Sequence, residues 1–126
     1  MKTILIDAWN TLFTESGIDE EIKRILDSFE NKKIVLTNAD DEQIVKFGID
    51  KSPYEVFSLK HNPNKIDENY YKIFLEKYNL SSGDVIYIEH NFDAIKSAEK
   101  NNILSYHFDK GVRDLKKMRE FLESNL

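Results

Sequence analysis

Short runs of consecutive apolar, mostly β-branched residues recur along the chain at Thr3–Ile6, Lys33–Leu36, Glu55–Leu59, Asp84–Ile88 and Ile103–Tyr106. Runs without polar alternation suit strands that are covered on both faces, as in a parallel sheet. Between them the apolar spacing becomes helical. Ile22, Ile25, Leu26 and Phe29 recur at i, i+3, i+4 and i+7, with Asp19, Glu20 and Glu21 well placed for a first turn. Tyr70, Ile73, Phe74 and Tyr78 predict a second helix over about 67–78, with the tyrosines and Phe74 directed to the core. Ala94, Ile95 and Ala98 predict a third, and Leu115, Met118 and Leu122 a C-terminal one. Ile44, Val45 and Phe47 suggest a short helix after the second strand. Gly48, Ser52-Pro53, Asn62-Pro63, Ser81-Ser82-Gly83 and Asp109-Lys110-Gly111 supply the turns. This alternation predicts a three-layer α/β/α sandwich on a mostly parallel, five-stranded Rossmann-like sheet.

With 126 residues the chain has the length of one domain, 1–126. A hydrophobic content of 40% is enough for one core, and 33% charged residues are enough to solvate its surface. The net charge of −5 argues against non-specific nucleic-acid binding, which runs on excess positive charge. The absence of cysteine excludes disulfides, zinc–thiolate sites, iron–sulfur clusters and thiol nucleophiles. No apolar run approaches the roughly 20 residues that span a bilayer. Met1-Lys2-Thr3 leads straight into a strand, so no signal peptide is expected. The expectation is a cytoplasmic domain with no membrane partner.

Open parallel sheets gather their chemistry at the carboxyl ends of the strands. Asp7 follows the first strand, where a carboxylate can act as a nucleophile or hold a cation. Thr37 and Asn38 end the second and could hydrogen-bond an anionic oxygen. Lys65 precedes a helix and brings positive charge, and Glu89 adds a second carboxylate after the strand ending at Ile88. Such a set suits phosphoryl transfer: one acid attacks, a divalent metal bridges the acids to phosphate, and Lys65 and Thr37 balance charge. Each residue also has a plainer reading. On that reading Asp7 caps a turn, Thr37 bonds the backbone, Lys65 sits solvated at a helix start, and Glu89 caps the next helix.

The order of these residues resembles that of the haloacid dehalogenase (HAD) superfamily, over essentially the whole chain. The family's first motif, Asp-x-Asp-x-Thr-Leu, is matched by Asp7-Ala8-Trp9-Asn10-Thr11-Leu12. Its second, a Ser or Thr ending a strand, is matched by Thr37, and its third, a Lys before a helix, by Lys65-Ile66-Asp67-Glu68. The acidic fourth motif is matched by Glu89-His90-Asn91-Phe92-Asp93. The resemblance implies a phosphatase with Asp7, Thr37 and Lys65 as catalytic residues and an aspartyl-phosphate on Asp7. It further implies substrate contacts from Asn38 and Trp9, and Mg²⁺ held by Asp7, the Trp9 backbone carbonyl and Glu89. With no separate cap domain the site would be open, which implies a macromolecular phosphorylated substrate or a protein partner covering the pocket.

The departures from the pattern are specific. Trp9 stands where family phosphatases carry the acid that protonates the leaving group, and an indole exchanges no proton near neutral pH. His90 stands at the metal-binding Asp, and Ala94 at the downstream acid, with Asp93 one residue away. These changes support a second reading, a catalytically impaired HAD-like binding or regulatory protein. A third is a haloacid dehalogenase, whose motif carries an aromatic two residues after the nucleophile. Its large helical cap has no counterpart here, because residues 13–33 suffice only for a flap and one helix.

Overall fold

A computed structural model describes residues 1–126. The chain runs through β1 (Thr3–Asp7), a small hairpin of β2 (Phe13–Thr14) and β3 (Gly17–Ile18), and helix α1 (Glu20–Asp27). It continues with β4 (Lys33–Thr37), α2 (Asp41–Lys46), β5 (Glu55–Ser58), α3 (Glu68–Lys77), β6 (Val85–Glu89), α4 (Phe92–Glu99), β7 (Leu104–His107) and α5 (Leu115–Asn125). All five expected strands form, and every pairing among them is parallel, in the order β5-β4-β1-β6-β7. The flap and single helix expected between residues 13 and 33 are the β2–β3 hairpin and α1.

Strand alternation divides the core in two. Ile4, Ile6, Val35, Ile86 and Ile88 face one side and meet Ile22, Ile25 and Leu26 of α1 and Met118 and Leu122 of α5. Leu5, Ile34, Leu36, Val85 and Tyr87 face the other, against Tyr70, Tyr71 and Phe74 of α3 and Ala98 of α4. Three layers result. Each large side chain removed from water this way contributes roughly 1.5–3 kcal/mol. Two positions differ from expectation. Tyr78, expected in the core, is half-buried and turns its hydroxyl to Glu55. Ile73 is 40% exposed because it lies outside the arc of α3 spanned by Tyr70, Tyr71 and Phe74, where Tyr71 takes the buried place against Tyr87.

Side-chain caps define where the helices begin. Asp19, Asp67, Asn91 and Asp114 accept from first-turn amides of α1, α3, α4 and α5, and Asp40 and Gln43 form a reciprocal capping box on α2. The Tyr70 hydroxyl reaches the carbonyls of Thr37 (2.9 Å) and Phe57 (3.2 Å), tying α3 to the carboxyl ends of β4 and β5. That tie fixes the loop preceding α3, which carries Lys65. No helix is long and apolar enough to cross a membrane.

Candidate active site

β1 ends on Asp7, which is buried to 3% exposure. The chain then turns sharply: the amide of Leu12 returns to the Asp7 carbonyl (3.2 Å) and that of Phe13 to Ala8 (2.9 Å). Asn10 adopts φ 70° within this turn, a conformation that asparagine tolerates better than most residues. The turn brings the Thr11 hydroxyl back onto Asp7 Oδ2 at 2.8 Å.

Lys65 comes in from the β5–α3 loop and is 5% exposed. Its ammonium lies 2.6 Å from Asp7 Oδ1, 2.6 Å from Glu89 Oε1 and 3.3 Å from the Leu36 carbonyl. Those acceptors match the three hydrogens of an ammonium group. Asn38 places the loop. Its Oδ1 accepts from the Lys65 amide (2.7 Å) while its Nδ2 donates to Asn64 Oδ1 (3.2 Å). Both ends of the Asn38 amide are thus engaged within the chain, although the residue lines the cleft.

Glu89 is fully buried at the end of β6. Tyr87, two residues earlier on the same strand face, donates its hydroxyl to Glu89 Oε1. The amides of His90 and Asn91 donate to Glu89 Oε2, each at 3.0 Å. The His90 ring turns back toward β1. Its Nδ1 is hydrogen-bonded to Asp7 Oδ2 and stands 3.2 Å from Glu89 Oε2. His107 Nε2, 2.9 Å from the His90 carbonyl, holds the backbone beneath it.

Asp7, Thr37, Lys65 and Glu89 therefore converge on one cleft at the carboxyl edge of the sheet, where Asn38 and Trp9 also lie. Trp9 stacks on Phe47 from the end of α2, with ring centroids 4.5 Å apart, and the pair forms an aromatic wall. The Thr37 hydroxyl accepts from the Ala39 amide (3.1 Å) and keeps its own hydrogen available. Asp93 is exposed in the first turn of α4, and Ala94 is buried. Neither lines the cleft. The cleft also contains Gln43 and His61, 2.7 Å apart, which carried no sequence signal because they belong to no strand-end motif.

The electrostatics follow from burial. Desolvation and the charge of Glu89 push the Asp7 carboxyl up, with Lys65 and His90 pulling against them, so its carboxylate is more basic than a surface one. Burial also disfavours the charge on Glu89, but Lys65, His90 and the other donors outweigh that and hold it well below the usual range. Hydrogen bonds to Asp7 and Glu89 raise His90 to about 9. Burial alone would depress Lys65, yet the two acids win and raise it. The cluster holds two carboxylates against an ammonium and an imidazolium, which balances.

Ligand atoms of Asp7, Glu89 and His90 lie within 4.8 Å of one another, a spacing that could hold a metal ion. The donors do not fit Mg²⁺, which demands a near-octahedral shell of oxygens. One of the three is a nitrogen, and that nitrogen carries the hydrogen it shares with Asp7, since an ionised carboxylate only accepts. The remaining carboxylate oxygens already receive Lys65, Tyr87 and backbone amides.

No protein-family model matches the chain, and no curated protein matches it by sequence. Among solved structures, it is similar to the NMR structure of the core domain of a "putative phosphoglycolate phosphatase" from Streptococcus pneumoniae TIGR4. The match covers 98% of this chain and 97% of that one, with a TM-score of 0.62 and 16% identity. At that identity the likeness is one of fold. The α/β/α sandwich with a parallel Rossmann-like sheet, expected from the strand–helix alternation, is the architecture of this chain.

Proposed function

We propose that the chain is a HAD-like hydrolase of phosphate monoesters that uses Asp7 as its nucleophile. One observation carries this reading: Asp7 Oδ1 accepts from Lys65 alone, which leaves it a lone pair, whereas Oδ2 is fixed by both Thr11 and His90. In the first step a bond forms between Oδ1 and phosphorus as the ester P–O bond breaks. The leaving oxygen takes a proton from water in the open cleft. In the second, water adds to phosphorus and gives up a proton to the hydroxide left by the first step, the bond to Oδ1 breaks, and phosphate departs, restoring the carboxylate. Thr37 would donate its free hydroxyl hydrogen to a phosphoryl oxygen. Lys65 supplies charge without touching substrate, and Trp9 with Phe47 would hold the leaving group. The name given to the S. pneumoniae protein, a phosphatase, agrees with this chemistry.

A binding or regulatory role on the same fold is favoured by a different observation: Lys65 spends every hydrogen inside the protein, as a purely structural ion pair would. One experiment separates the two. Wild type and Asp7→Asn are assayed on an aryl phosphate, and the wild-type reaction is quenched in acid to recover a phosphoryl adduct on the Asp7 peptide. Turnover and adduct confined to wild type support hydrolysis. No turnover, or equal turnover by both proteins, moves the binding role ahead.

A further inference from the structure

We infer that His90 occupies the place a divalent cation would take between Asp7 and Glu89, so that this cleft is closed to Mg²⁺ and works without it. The position is the first argument. A cation shared by the two acids must sit at a point within reach of an oxygen from each. The Nδ1 of His90 is already at such a point, bonded to Asp7 Oδ2 and 3.2 Å from Glu89 Oε2. The bridge is made by a hydrogen instead of an ion.

The second argument is the saturation of what remains. Asp7 Oδ1 and Glu89 Oε1 share the Lys65 ammonium at 2.6 Å each, and Tyr87 adds a second donor to Oε1. Glu89 Oε2 receives two backbone amides. To bind an ion, Glu89 would have to release donors while fully buried, and stripping partners from a buried charge is costly. No other acid can help, because Asp93 is exposed on α4 and Ala94 offers no donor. The third argument is that the ring is held in place. His107 fixes the His90 carbonyl, and the His90 amide is bound to Glu89, so the backbone under the ring is pinned from both sides.

The arrangement predicts an unusual metal response. The part concerning turnover rests on the hydrolysis proposed above, whereas the part concerning metal affinity does not. Wild type, His90→Ala and His90→Asp are titrated calorimetrically with Mg²⁺, and each fold is verified by near-UV circular dichroism. Wild type is expected to show no saturable binding at millimolar Mg²⁺. His90→Asp, which restores an oxygen ligand, should bind at least about tenfold more tightly than wild type, the equivalent of 1.4 kcal/mol. His90→Ala, which only vacates the position, should also gain affinity and covers the case in which the aspartate variant does not fold. On an aryl phosphate, wild-type turnover should be the same in EDTA as in Mg²⁺. Saturable Mg²⁺ binding by wild type overturns the inference, as does failure of both folded variants to gain affinity. A wild-type turnover abolished by EDTA and restored by Mg²⁺ overturns it and leaves the hydrolase reading intact. Absence of turnover under every condition counts against hydrolysis alone, and the titrations still decide the role of His90.

Discussion

The imidazole of His90 donates to the carboxylate of Asp7 across 83 positions of sequence, joining the end of β1 to the start of α4. The contact ties the acid whose carboxyl burial pushes up to the ring whose proton affinity that acid raises.

A pH dependence follows from that contact. His90 faces Asp7 from β1 and Glu89 from β6, Lys65 is paired to both acids, and His107 of β7 holds its carbonyl. The ring is raised from 6.5 to about 9, so its contribution to stability is complete below the lower value and is lost as pH rises through the upper one. Melting temperature should therefore fall between neutral pH and pH about 9, and His90→Asn should flatten that fall. NMR titration of the ring provides the direct check; a midpoint near the ordinary histidine value would mean that the contact does not form in solution.

Removing Lys65 leaves two carboxylates facing each other in the interior. Lys65→Met should cost about 3–5 kcal/mol in urea denaturation, the range for stripping one partner from a buried pair. A loss below about 1 kcal/mol, typical of surface pairs, would show that water reaches the acids freely.

Asn38 is expected to act through Lys65. Asn38→Ala removes the acceptor of the Lys65 amide and the donor to Asn64, at a cost of about 1–3 kcal/mol. Because the β5–α3 loop then loses its register on β4, turnover should fall with kcat while KM changes little. An unchanged kcat would show that Lys65 is placed by other contacts.

Trp9 should set the rank order of substrates. With no proton donor at that position, an aryl phosphate should turn over far faster than an alkyl one, since general acid help is worth about 10²–10⁴-fold. Trp9→Asp should narrow the gap while losing about 0.5–1.5 kcal/mol of stacking on Phe47. Steady-state kinetics on both esters and a thermal melt test the two halves separately.

Much of this was legible because the informative residues are local punctuation. Asp7, Thr37 and Glu89 each close an apolar run, and Lys65 stands just before the cap of α3, so strand and helix boundaries locate them. The His90–Asp7 contact had no such signature. It depends on the rotamer of a ring at a helix start and on a partner in another strand. Phe47, Gln43 and His61 were hidden for the same reason, since α2 and the β5–α3 loop meet only in three dimensions. The exchange of Ile73 for Tyr71 has another cause. Periodicity marks an apolar stripe, but the shape of the sheet decides which edge of that stripe is covered.

The strand order bears on how the chain reaches its native state. β1 lies between β4 and β6, so the central strand is complete only when the two flanking segments have docked on opposite edges. During synthesis Asp7, Thr37 and Lys65 emerge before Glu89, and until β6 arrives the ammonium of Lys65 has one acid instead of two. Giving up its water at that stage would be unfavourable, so Lys65 stays hydrated and the loop before α3 stays loose. Arrival of β6 then adds a strand to the open edge of β1 and delivers the second carboxylate, so the cluster acts as a latch that closes before β7 and α5 complete the fold.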